Sequence, residues 1–184
     1  MRDAPERTLA DRLHMTVAIS PLRMRLRKLM MTHPSKDASC IEDWLLDVAN
    51  ARGARVVVRR WEPEQGFVPP GGEELPNEDL VVALCHLQSL DRPQILRAAA
   101  QLVSRGAVDA GKLLPAIRRE RVEVVLAEMA RQALRVEPDH AVWSRIQAAL
   151  SAVPPPRDPV IHWTRLSEPV PDSRGVARGW RLVA

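Results

Sequence analysis

The sequence has no tyrosine, one phenylalanine and only two cysteines. With five tryptophans as almost the whole aromatic complement, a core must be packed mainly from Leu, Val and Ala. Cys40 and Cys85, far apart in the chain, make no disulfide framework and read as reduced thiols. No stretch approaches the ~18 consecutive apolar residues of a membrane span. The opening "MRDAPERTLADRLHM" lacks the apolar segment of a signal peptide. The expected location is the cytoplasm. Lysine is also scarce: only Lys28, Lys36 and Lys112 among 27 basic residues. The richness in Arg, Ala and Pro reads as a bacterial-like, high-GC coding bias, which lowers the weight of any arginine count.

The motifs of catalysis are missing as well. The seven His and Cys residues His14, His33, Cys40, Cys85, His86, His140 and His162 show no C-x-x-C or H-x-x-x-H spacing. Neither phosphate-cradling glycine motif follows a strand, and there is no G-x-S-x-G. No metal or other cofactor is called for. "VVALCHLQSLDRPQ" places Cys85 beside His86, yet neighbours on a helix diverge by about 100° and cannot act on one another. Cys85 therefore reads as a small core residue and not a nucleophile. Glu42–Asp43, Glu73–Glu74 and Glu78–Asp79 read as first-turn or loop acids, not acid–base dyads. No catalytic residue is assigned.

What is present is charge asymmetry and helical periodicity. The formal charge is +4. Residues 1–36 hold eight basic and three acidic side chains, while residues 37–76 hold four and eight. The basic excess thus lies in an N-terminal arm, residues 1–36. Within it "SPLRMRLRKLMM" has Ser20 as N-cap and Pro21 at the first helical position. Leu22, Leu26, Leu29 and Met30 then share one face of a helix. Leu22, Met24 and Leu26 also alternate with Arg23, Arg25 and Arg27 at the period of a strand, but the cap favours helix.

Residues 37–184 read as a single, mainly helical domain. "SCIEDWLLDVANARG" predicts a helix capped by Ser39 and closed by Gly53. "ARVVVRRW", residues 54–61, predicts a strand, and the Pro/Gly-rich residues 62–76 a loop. Asn77 is the expected cap of the next helix, and Asp91 with Gln94 a capping box for the one after it. In that second helix Ile95, Ala98, Ala99, Leu102 and Val103 are expected inward, and Gln94, Arg97, Gln101 and Arg105 outward. Asp109 caps a helix that Pro115 must kink or interrupt. Glu128 is expected to reach Arg131 or Gln132 on an exposed side, and His140 to sit in a first helical turn. From residue 152 the tail is Pro-rich and strand-like; "VIHWTRL" and "GVARGWRLV", with Trp163 and Trp180, form a possible hairpin. The expected class is a mainly α bundle or array of about five to seven helices with one to three short strands.

"EDLVVAL…DRPQILRAAAQLVSRGAVDAGKLL" resembles the helical region that follows the catalytic half in some nucleotidyltransferase-like proteins of antiphage and toxin–antitoxin systems. That catalytic half needs a Gly-Ser turn and an Asp-x-Asp pair. This chain has no Asp-x-Asp, so the likeness implies no activity here.

Three functions compete. The leading expectation is a non-enzymatic protein-interaction or regulatory module that binds another protein or a second copy of itself, with Leu22, Leu26, Leu29 and Met30 as contacts if they have no intramolecular groove. The second is nucleic-acid binding through Arg23, Arg25, Arg27 and Lys28, joined by Arg59, Arg60 and Trp61, where arginine beside tryptophan suits base stacking. The third is an enzyme with a dispersed site using residues such as His86 or His162.

Overall fold

The computed structural model describes residues 20–32, 41–56, 72–86, 93–155, 167–171 and 177–182. Seven α-helices account for most of them: α1 (Pro21–Thr32), α2 (Ile41–Ala51), α3 (Asn77–Leu84), α4 (Pro93–Ser104), α5 (Ala110–Arg119), α6 (Glu123–Leu134) and α7 (Ala141–Ala149). A short 3-10 turn, Gly72–Glu74, precedes α3. Two strands, β1 (Ser167–Pro171) and β2 (Ala177–Leu182), pair antiparallel with Pro169 opposite Trp180.

The helix ends follow from a few residues. Ser20 caps α1, its hydroxyl accepting from the Arg23 N–H at 3.0 Å. Asp109 caps α5, accepting from the Gly111 N–H at 2.6 Å. Gly53 (φ 98°) and Gly106 (φ 69°) stop α2 and α4 with the same pair of bonds, Gly53 to Asn50 and Ala54 to Ala49, Gly106 to Val103 and Ala107 to Leu102. Arg121 takes the same left-handed position after α5 at φ 57°, without glycine's freedom. Pro115 neither breaks nor ends α5. It lies on an exposed face, and the carbonyl it leaves unbonded, four residues back, belongs to exposed Gly111.

Several expectations are corrected. The N-cap of α3 is Pro76; Asn77 is the first helical residue, and its side chain bridges instead, accepting from Arg52 at 2.5 Å and donating to the Ala107 carbonyl at 2.7 Å. His140 is the N-cap of α7, with Nδ1 accepting from the Trp143 N–H at 3.3 Å and Nε2–H facing the Ser104 carbonyl at 2.9 Å. The strand expected at 54–61 is not shown: residues 54–56 have no regular structure, and 57–61 lie outside the described residues. "VIHWTRL" also lies outside them, and β1 comes from "SEPVP", the segment expected to connect two strands. Ser39 and Asp91 fall outside the described residues too.

One core runs through all seven helices, from Leu22 and Leu26 of α1 to Trp143 and Ile146 of α7. Within residues 1–36, helix α1 is therefore part of the same core as the other six helices. The middle of this core is α3 and α4, which pack on each other and on α2. From Leu80 to Cys85 every residue is buried, and so is every residue from Ile95 to Val103 except Arg97. Gln101 is thus inside and not out; its Oε1 accepts from the Arg55 N–H at 2.7 Å. Glu128 and Gln132 of α6 do meet, at 2.6 Å, but they are buried, and the chain beyond α7 passes over Arg131 with the Val153 carbonyl at 3.4 Å.

Candidate functional site

α1 has two unlike faces because its residue types repeat at two offsets of the same helical period. Leu22 and Leu26 point into the core, and Leu29 and Met30 are half-buried beside them. These four residues thus have an intramolecular groove, which removes Leu22 and Leu26 from any surface presented by the docked helix. Met24, Arg27, Lys28 and Met31, spaced i, i+3, i+4 and i+7, form the opposite, exposed stripe. Met24 is 56% and Met31 77% exposed. Val124 is the one other large apolar residue so exposed among the described residues.

Arg23 and Arg25 flank the buried seam on either side, and both are committed to ion pairs. Arg23 is buried, with Nη2 2.7 Å from Glu42 Oε1 of α2. Arg25 pairs with Asp79 of α3, a carboxylate shared with Arg119 at 3.2 Å. Arg25 and Arg119 are more than half exposed, so each adds at most about 1 kcal/mol. Of the four basic residues expected to meet phosphate, Arg25, Arg27 and Lys28 are exposed, and Arg23 alone is buried. Arg59, Arg60 and Trp61 lie outside the described residues.

Beneath the start of α1 is a polar junction that sequence reasoning did not assemble. The Ser20 hydroxyl, besides capping α1, donates to Glu120 Oε2 at 2.5 Å across a hundred residues of chain. Glu120 is buried at the C-cap of α5. His86, buried in the turn after α3, feels both Arg23 and Glu120: burial first, and then the Arg23 charge, hold its imidazole pKa below the ordinary value, while Glu120 pulls upward. Among the described residues, His86 Nδ1 and Arg23 Nη1 have no hydrogen-bond partner. Neighbouring Cys85 has no part in this junction. Its side chain is fully buried in the apolar core, and that burial pushes the thiol pKa up, away from the reactive thiolate.

An open cleft lies at the other end of α3, lined by Glu78, Asp109, Arg145 and the turn from Gly106 to Ala110. Its carboxylates are structurally engaged, Glu78 accepting from the Asp109 N–H at 2.9 Å and Asp109 capping α5. His86 is not among its walls. Among the described residues no three His, Cys, Asp or Glu side chains are grouped to hold a metal ion, and no helix is long and apolar enough to cross a membrane.

The stripe of Met24, Arg27, Lys28 and Met31 was not singled out from the sequence, although its i, i+3, i+4 and i+7 spacing is the signal that could have found it. The junction was not legible, because Ser20 and Glu120 meet only through long-range packing. Comparison with family models, with curated proteins and with solved structures finds no match.

Proposed function

We propose that the protein is a non-enzymatic helical interaction module, and that α1 presents its outer face to a protein partner carrying apolar and acidic side chains. The observation that carries this reading is the pair of exposed methionines, Met24 and Met31, set around Arg27 and Lys28 on a helix whose other side is anchored. Methionine is unbranched and polarizable, and it suits surfaces that adapt to a partner's side chains. Burying one at an interface is worth about 1.5–3 kcal/mol. The two cations between them select for acid and steer the encounter.

The wild-type chain and a Met24→Ser/Met31→Ser variant, used as baits, test the reading. Both substitutions sit on the exposed face and leave the core intact. A partner captured by the wild type is then purified and titrated against both; the expected loss is about tenfold or more in affinity. Equal affinity for the two overturns the assignment of this face. Labelled single- and double-stranded oligonucleotides, titrated over a salt series, provide the contrast. Salt-sensitive binding that is lost in Arg27→Glu/Lys28→Glu would favour nucleic acid over protein as the occupant.

A further inference from the structure

We propose that the outer face of α5 is a second docking surface, a cationic track that binds the phosphate backbone of double-stranded nucleic acid. It uses none of the four residues of the α1 stripe, so it goes beyond the reading of α1 and does not rest on it.

The track is built on one helix and extended by a neighbour. Every exposed charged side chain from Gly111 to Arg121 is basic: Lys112, Arg118, Arg119 and Arg121. The acid of this stretch, Glu120, is buried and accepts from the Ser20 hydroxyl at 2.5 Å. Lys112 and Arg119 lie on one line of the helix, two turns apart. Asp79 joins that line to α1, because Arg119 Nη2 is 3.2 Å from its Oδ1 while Arg25 binds its Oδ2. The two guanidinium groups therefore stand side by side, both more than half exposed, over a carboxylate that is largely covered. One carboxylate between two arginines leaves a net positive charge. Among the described residues no hydrogen bond or ion pair engages the side chains of Lys112, Arg118 or Arg121.

Arg121 carries the argument. α2, α4 and α5 end in the same pair of backbone bonds, with Gly53, Gly106 and Arg121 at the left-handed position. After α5 these bonds run from the Arg121 N–H to the Arg118 carbonyl at 3.3 Å and from the Val122 N–H to the Ile117 carbonyl at 3.1 Å. The left-handed region is costly for a residue with a Cβ, and a side chain held there against that cost points to a use for it. Coding bias does not account for the choice, since glycine codons are as GC-rich as those of arginine. Nor does the fold gain an ion pair, because the Arg121 side chain is exposed and has no partner among the described residues.

Phosphate is the ligand that fits. Guanidinium groups match phosphate oxygens bidentately, and a row of cations along one face suits a row of phosphates. The tryptophans of the described helices, Trp44 and Trp143, are fully buried and offer no ring on which an unpaired base could stack. A duplex backbone is therefore favoured over a single strand. Recognition through phosphates alone is independent of base sequence.

Anisotropy titrations of the full chain against labelled DNA and RNA duplexes of arbitrary sequence, over a salt series, test the track. About three to five phosphate contacts predict, for DNA, a slope of log affinity on log salt of roughly −3 to −4.5. Arg118→Gln/Arg121→Gly is expected to weaken binding by more than about tenfold at about 50 mM salt and to make the slope shallower by about two. Arg121→Gly alone is expected to raise the urea midpoint while weakening binding, since it relieves the left-handed backbone and removes a contact. A loss of binding in a variant that gains stability cannot come from unfolding. An unchanged slope in Arg118→Gln/Arg121→Gly, no salt-sensitive binding to either duplex, a preference for single strands, or a lower urea midpoint for Arg121→Gly each overturns the track. Met24→Ser/Met31→Ser is expected to bind duplex as the wild type does, and Arg118→Gln/Arg121→Gly to keep its affinity for a protein partner of α1. Either surface can thus fail without the other.

Discussion

Gly53 and Gly106 are the clearest single-residue determinants of the fold, and they differ in an instructive way. Both hold positive φ at a helix end, but a Cβ on Gly53 would come 2.6 Å from Arg105 Nη1, whereas one on Gly106 would meet nothing within 4 Å. The Arg105 guanidinium donates to the Gly53 carbonyl, so the close approach is a contact the structure uses. Gly106→Ala is expected to cost about 1 kcal/mol, the backbone penalty alone, and Gly53→Ala about 2 kcal/mol because the guanidinium must also move. Urea unfolding of the two variants checks the order. Cys85 gives a second residue-scale test. Its thiol is expected to resist alkylation in the folded protein and to react on unfolding, read by mass of the Cys85 peptide so that Cys40 does not interfere. Cys85→Ala should cost about 1 kcal/mol of packing, and the protein should stay folded.

At the scale of the element, α1 shows why charge pattern alone misleads. Arg23, Arg25, Arg27 and Lys28 form one basic run in sequence, yet they have three different roles: a buried pair with Glu42, an exposed pair with Asp79, and an open stripe. Glu42 and Asp79 are distant in sequence, and nothing local announces them. Removing one partner of a buried pair costs more than replacing a charge by an apolar chain of similar length. Glu42→Gln, which leaves Arg23 uncompensated, is therefore expected to lose about 2–3 kcal/mol, and Arg23→Met less than that. Thermal unfolding of both variants decides between this and a simple count of lost bridges. The helix itself was legible, since Ser20, Pro21 and the spacing of Leu22, Leu26, Leu29 and Met30 specify it. Gln101 and Glu128 were misplaced for a related reason. One-sided periodicity presumes water on the other side, but α4 is buried from Ile95 to Val103 except at Arg97, and α6 is crossed by the chain beyond α7.

For the whole molecule, the sequence conveyed the mainly helical class because five amphipathic segments lie close together in the chain. It did not convey that α1 joins the same core, since the groove for Leu22 and Leu26 is built from distant helices. The end of α2 draws several of these distant pieces together. The Asn50 side chain clamps both the N–H and the carbonyl of Val56, at 3.1 and 3.0 Å. Two residues on, Arg52 holds the Gly72 carbonyl at 2.6 Å and Asn77 at 2.5 Å. The chain therefore departs from and returns to a single helix end, whatever path residues 57–71 follow between. Val56 and Gly72, the described residues on either side of that span, are thus both fastened to the end of α2. Doubling the span with a flexible insert is expected to change unfolding free energy by only about 0.6 kcal/mol. A backbone cut made within it should leave a nicked protein that stays folded, because Val56 and Gly72 are already held at one helix end.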